Sequence, residues 1–276
     1  MSIINYSAPH KLLTVARGHP YERDAFASLF TELTDYEVCH VEQPLAQQLL
    51  TPAAIDQFDA VLFYDMPGVD FTTGEASPGL IAPSEEFVAN FTAMLEAGIG
   101  IVFMHHAIAS WPAWPEFAEI IGGRFHYRPA SLRGKDWPDS GYRHQVQHTV
   151  SVAAEHPVTA GLPATYEMTD ELYLCPIFEE DVTPLLRSDY AFERDNFYSS
   201  AAAVAGTMNS NEGWAHPTGS NLVGWVKKWG NSPIVYLQGG DDAVAMQNPV
   251  FGQLVQNAVR WVASEQAHAW ARGKTD

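Results

Sequence analysis

The sequence predicts an α/β protein: a mostly parallel sheet with helices on both faces, extended by antiparallel strands in its C-terminal half. Three observations carry that prediction. Unbroken apolar runs such as Ala60-Val61-Leu62-Phe63-Tyr64 and Ile101-Val102-Phe103-Met104 suit strands buried on both faces. Amphipathic stretches alternate with these runs, and β-α-β-α-β order favours parallel strands joined by crossover helices. Further on, Gly230-Asn231 separates two apolar runs at the spacing of a hairpin, which is antiparallel.

Residues 11–16 form the first expected strand, and Arg17-Gly18-His19-Pro20 the turn after it. Phe26, Leu29, Phe30 and Leu33 fall at helical spacing within 21–33, with Glu22 and Asp24 placed to suit the helix dipole. Strands follow at 36–41 and 58–65, the second running into the turn formers Asp65-Met66-Pro67-Gly68. Pro83-Ser84-Glu85-Glu86 opens a helix whose buried stripe is Phe87, Phe91, Met94 and Leu95, and Gly98 ends it. The next strand delivers His105-His106 into a turn. A short helix near Trp114-Pro115 ends at Gly122-Gly123, and 124–141 reads as loop. Strands are expected at 144–153, with Val146, His148, Val150 and Val152 on one side, and at 172–178 and 182–186. Residues 190–217, polar and weakly periodic, read as a long surface loop. The hairpin strands at 222–229 and 233–238 and a helix over 249–263 complete the pattern. With no internal repeat or low-complexity linker, residues 1–276 read as one domain with a core of about 11–264.

Composition narrows the function. The 276 residues, 46% hydrophobic and 17% charged, can fold into a compact domain with a sizeable core. A net charge of -18 repels nucleic acid and anionic membranes. Cys39 and Cys175 lie far apart, which suits a reduced compartment without a disulfide framework. Residues 1–10 lack the pattern of a signal peptide, and no apolar run approaches the ~20 residues of a membrane span. A cytoplasmic, soluble protein is expected.

Candidate chemistry comes from convergence. His19, Asp65, His105 and Asp241 each follow a predicted buried strand, and the C-terminal ends of parallel strands share one rim. Each alone is an ordinary turn residue or helix cap; together they predict a shared site, provided all four strands are parallel. Of the two adjacent histidines, His105 is expected to face the site and His106 to pack inward. His105 can serve as acid or base, or as a metal ligand, with His19, His126, Glu171 and His216 as candidate co-ligands. No compact HxH or HxxxH spacing supports a metal. Of Asp170 and Glu171, adjacent on a strand, only one can face a pocket. Trp111, Trp114, Phe125 and Tyr127 are core or lid aromatics, or a platform for a sugar ring. There is no Gly-x-Ser-x-Gly elbow and no Gly-x-Gly-x-x-Gly, which disfavours a serine hydrolase and a dinucleotide site.

These residues resemble the trehalose-utilisation (ThuA-like) family. The resemblance rests on Val102-Phe103-Met104-His105-His106-Ala107, on Trp111 through Gly122-Gly123-Arg124-Phe125, and on His156-Pro157-Val158-Thr159-Ala160-Gly161-Leu162-Pro163. It continues with Asp170-Glu171-Leu172-Tyr173, Asn248-Pro249 before Phe251, and Arg260-Trp261, spanning Lys11 to Ser264. It implies a flavodoxin-like sheet related to class I glutamine amidotransferases, with His105 in place of their nucleophile elbow, and hence no glutaminase activity. It also implies disaccharide catabolism, with 3-keto-glycosides as candidate substrates. The family carries Gly-His-Asp after the last strand, whereas this chain has Gly239-Gly240-Asp241, so that histidine is absent or supplied elsewhere, His216 being the candidate.

The expected function is therefore an enzyme cleaving or isomerising a neutral sugar or keto-sugar, a lyase, hydrolase or isomerase. His105, His19 and Glu171 are the catalytic candidates; Asp65, Trp111, Tyr173, His216 and Asp241 are the substrate-binding ones. His19 and His105 are the candidate ligands of one divalent ion, zinc or manganese. A homo-oligomer is expected. The alternatives are a non-catalytic sugar-binding or regulatory protein on a degenerate amidotransferase fold, and a structural subunit of a larger complex.

Overall fold

The computed structural model describes residues 7–73 and 77–273. Residues 1–6, on which part of the signal-peptide reading rests, lie outside them. The first half builds a parallel layer: β1 (His10–Arg17), α1 (Arg23–Ser28), β2 (Tyr36–Glu42), the short helices α2 (Ala46–Leu49) and α3 (Pro52–Ile55), and β3 (Ala60–Asp65). A two-strand flap, β4 (Val69–Asp70) and β5 (Gly79–Leu80), precedes α4 (Glu85–Ala97), β6 (Gly100–Met104) and α5 (Pro115–Ile121). The second half adds β7 (Ala130–Leu132), β8 (Lys135–Trp137), β9 (Gly141–Val152), β10 (Thr165–Leu174), β11 (Thr183–Ser188), β12 (Tyr198–Ser199) and α6 (Ser200–Val204). β13 (Leu222–Trp229), β14 (Ser232–Leu237), α7 (Ala243–Met246), α8 (Pro249–Val262) and α9 (Glu265–Ala271) complete it.

One sheet runs in the order β10-β9-β11-β13-β14-β6-β3-β1-β2, with β12 paired to β9. The strands from β14 to β2 are mutually parallel, and the C-terminal additions are antiparallel. Alternate residues of the buried strands feed two core layers. Leu12, Leu62, Val102 and Val235 pack with Phe26 of α1 and with Phe251, Leu254 and Val255 of α8. Leu13, Val61, Phe63, Ile101 and Phe103 pack with Phe87, Phe91, Met94 and Leu95 of α4 and Phe117 of α5. Ser84 caps α4 by accepting from the Phe87 amide, and Gly98, at φ 96°, ends it. Asn248 caps α8 through the Val250 and Phe251 amides. Gly100 lets α8 reach β6, since a Cβ there would lie 2.2 Å from the Val262 carbonyl oxygen.

Several sequence expectations need correction. The helix over 21–33 is only α1, because beyond Ser28 the chain tightens into i→i+3 turns at Phe30, Thr31 and Leu33. The loop over 124–141 contains the β7–β8 hairpin, turned by Arg133 and Gly134 at φ 53° and 70°. The strand expected over 172–178 is β10, which begins at Thr165 and stops at Leu174, just before Cys175-Pro176. The surface loop over 190–217 holds β12 and α6 and buries Phe192, Phe197 and Trp214. α2, α3 and α9 were not foreseen, being too short to show a clear period.

Candidate functional site

β1, β3, β6 and β14 lie parallel in one sheet, so the segments that follow them share its C-terminal rim. His105 opens the turn after β6 with φ 50°, a left-handed conformation uncommon for a residue with a side chain, and it is wholly buried. Its Nδ1 lies 2.7 Å from the Gln238 carbonyl at the end of β14 and must donate to it. Nε2 therefore faces the other groups: the Tyr173 hydroxyl at 2.7 Å, Glu171 Oε2 at 3.2 Å and Asp241 Oδ1 at 3.3 Å. His144 closes the cluster from the solvent side, its Nδ1 lying 3.2 Å from Glu171 Oε1 and 3.5 Å from Asp241 Oδ2.

Local sequence explains how each group arrives. On β10, Glu171 and Tyr173 share the face toward His105, while Met168, Asp170 and Leu172 line a small enclosed cavity on the other face. Asp170 still shapes the site. Its carboxylate accepts the amides of Glu171, Gly240 and Asp241 at 2.8, 2.7 and 3.1 Å, which fixes the loop that carries Asp241. His144 owes its place to a β-bulge. β9 and β10 pair Val146 with Asp170 and Arg143 with Leu172, so His144 and Gln145 together oppose Glu171, with Gln145 at φ 55°. Plain alternation would put His144 on the side of Val146 and His148. The extra residue moves it to the side of Tyr142, and for that reason the sequence reading missed it.

The charges form one coupled system. Burial works against a proton on His105, but hydrogen bonds and charge from Asp241 and Glu171 outweigh it and hold its pKa well above the ordinary histidine value. Burial likewise pushes the Asp241 carboxyl up, and the hydrogen bonds from His105 and His144 win, holding it well below the usual range. His144 is raised, chiefly by its hydrogen bond to Asp241. Burial keeps the Tyr173 phenol protonated. Burial also lifts Asp170 to about 7, against the His105 charge and the three backbone donors.

Only some of the expected site residues join this cluster. His105, Glu171, Tyr173 and Asp241 do. His19 does not: its ring packs on that of His106 at 4.9 Å, and among the described residues the group that could hold a metal is His105, Glu171 and Asp241. His106 sits against Tyr64 and donates to its carbonyl. Asp65 is buried and accepts from Gln43 at 2.7 Å. Trp111 lines a separate cleft of about 370 Å³, with Gln43, Gln47 and Gly68. His216 lies between Trp137 and Trp214, away from Asp241, so the second imidazole of the site is His144 and not His216. His126 is buried beside Ser140, outside the cluster.

A family model described as "ThuA: Trehalose utilisation" matches residues 12–262. Among solved structures, the chain is similar to a ThuA-like protein from Bacteroides uniformis ATCC 8492, at 20% identity over 95% of each chain with a TM-score of 0.64. A ThuA-like protein from Parabacteroides merdae ATCC 43184 is 17% identical over 93% of this chain and 90% of that one, with a TM-score of 0.63. A cytoplasmic protein from Salmonella typhimurium LT2 shares the fold at 9% identity and a TM-score of 0.55, over 91% of this chain and 99% of that one. No curated protein sequence matches. No helix among the described residues is long and apolar enough to cross a membrane.

Proposed function

The chain belongs to the trehalose-utilisation family, and from that premise we propose an enzyme that acts on a neutral sugar or keto-sugar at the His105 centre. The observation that carries this reading is the convergence of Glu171, Asp241 and Tyr173 within 3.3 Å of one buried imidazole nitrogen. Cleavage or isomerisation beside a carbonyl needs a base to take a carbon-bound proton and an acid to protonate the oxygen that gains charge. Glu171 is the base. Tyr173, kept protonated by burial, donates its hydroxyl proton to that oxygen, and His105 returns one to Tyr173 through Nε2. Asp241 stays ionised and holds both imidazoles in place. The acidic net charge suits an uncharged substrate, and the family resemblance makes a 3-keto-glycoside the first to try.

The same atoms fit a divalent ion. Because Nδ1 of His105 is committed to the Gln238 carbonyl, Nε2 is the nitrogen free to ligate, and the ligand atoms of His105, Glu171 and Asp241 lie within 4.8 Å of one another. Zinc or manganese held there would polarise a sugar carbonyl.

The test is turnover of 3-keto-glucosides by the purified protein, with its metal content measured alongside. His105→Ala and Glu171→Gln are each expected to lower turnover by at least about 100-fold, His105→Ala with a lowered thermal midpoint because it leaves buried carboxylates unpaired and Glu171→Gln with a smaller shift. Turnover at the wild-type rate in either variant refutes the assignment. Sugar binding without product in the wild type would favour the regulatory alternative.

A further inference from the structure

We infer that the cleft beside Trp111 is a second sugar-binding site, separate from the His105 centre, which recognises a neutral saccharide through the free end of an amide relay. It rests on the proposed class of substrate, but not on catalysis at His105. The sheet order β2-β1-β3 reverses chain direction of travel at β1, and ligands of open parallel sheets bind at such a switch point. The cleft lies there, framed by Arg17 at the end of β1 and Gly18 after it, Gln43 and Gln47 after β2, and Pro67 and Gly68 after β3. It shares no lining residue with the group His105, Glu171 and Asp241. At about 370 Å³ it has room for a sugar ring.

The relay begins at Asp65, which is buried beneath the cleft. Asp65 Oδ2 accepts the Gln43 Nε2 hydrogen at 2.7 Å. This fixes the Gln43 amide and turns its Oε1 to accept from Gln47 Nε2 at 3.2 Å. Gln47 Oε1 is then the free end, an acceptor on a half-buried residue of the cleft wall. With its remaining N–H beside it, this amide end offers both an acceptor and a donor, which a sugar hydroxyl, itself donor and acceptor, can match. Arg17, exposed and 3.8 Å from Glu42, disfavours a cation, and the phosphate control below tests whether it draws an anion instead. The exposed Ile81 and the half-buried Pro83 supply an apolar wall, with Trp111 and Pro67 buried behind the lining. Gly18 and Gly68 let the loops that frame the cleft pack closely, since a Cβ would lie 2.4 Å from the Met66 carbonyl oxygen at the first and 3.0 Å from the Trp111 ring at the second.

The experiment is calorimetric titration of the full chain with trehalose, maltose and glucose, and with glucose 1-phosphate as the anionic control. Expected is millimolar binding of at least one neutral sugar, tighter than that of the phosphate. Gln47→Leu should weaken it about tenfold, the value of one hydrogen bond, while Gln47→Glu, which keeps an acceptor but adds charge, retains part of it. His105→Ala should leave this binding in place even where it removes turnover. Absence of binding by all three neutral sugars, preference for the phosphate, indifference to Gln47→Leu, or loss in His105→Ala would each overturn the second site. A chain that binds sugar through Gln47 yet turns over nothing keeps this site and loses the catalytic reading.

Discussion

Replacing Asp65 by asparagine should change stability with a sign and size that depend on pH. Burial lifts the Asp65 carboxyl to about 7, with the Gln43 hydrogen bond opposing. A carboxyl raised in the folded state binds its proton more tightly there than in the unfolded chain. The native protein therefore loses stability as pH climbs from the unfolded value near 3.8 to about 7, and the loss is complete above that. Each pH unit in that window is worth about 1.4 kcal/mol, so between pH 5 and pH 8 the cost grows by on the order of 2–3 kcal/mol. Asparagine keeps an oxygen for Gln43 and never ionises, so it escapes this cost. It gives up the contact of the carboxylate with its own backbone amide, worth about 1 kcal/mol. Urea unfolding should find Asp65→Asn close to wild type or slightly weaker at pH 5, and clearly more stable at pH 8. The thermal midpoint at pH 8 should rise by several degrees, taking about 2–4 °C per kcal/mol for a chain of this size. A stability difference that stays constant across pH 5–8 refutes the argument.

Asp241→Asn should lower the pKa of both His105 and His144, since the carboxylate raises each of them; imidazole proton NMR against pH reads this, and unchanged titrations contradict the coupled cluster. Gly100→Ala should destabilise by about 3 kcal/mol or more in thermal or urea unfolding, because its Cβ meets the Val262 backbone rather than a side chain that can move; a neutral result means α8 can slide. Zinc or manganese binding should release at least one proton per ion and weaken as pH falls, because a ligating Nε2 cannot keep its hydrogen; titration in buffers of different ionisation enthalpy measures it, and release of none excludes His105 as a ligand.

The parallel half of the fold was legible because its strands are buried on both faces and write themselves as unbroken apolar runs. The same runs marked the rim, so His105 and Asp241 were found from position alone. Side-chain direction was not legible. His19 and Asp65 follow parallel strands as surely as His105 does, yet one turns to His106 and the other to Gln43. The antiparallel half was harder, since short strands such as β7, β8 and β12 carry too few residues for a period. His144 was hidden for a sharper reason. A bulge shifts the alternation by one residue, and nothing local in Arg143-His144-Gln145-Val146 announces a left-handed Gln145.

That bulge matters for charge as well as for position. Two carboxylates brought together in a largely buried site repel each other. With His144 in place, Glu171 and Asp241 can face two cationic imidazoles, and the cluster is formally neutral. A divalent ion beside two neutral imidazoles balances the same two carboxylates, and the sum is again zero. Protons and a divalent ion would therefore be exchangeable occupants of one electrostatic niche, and neither exchange would force charge into the core. Without His144, the proton-filled state would carry a net negative charge at the end of a buried strand, while the metal-filled state would not. It follows that His144→Ala should shift the balance toward the ion: metal affinity at neutral pH falls less in this variant than thermal stability of the metal-free protein does. Equal loss of both, measured side by side, would mean that His144 only packs.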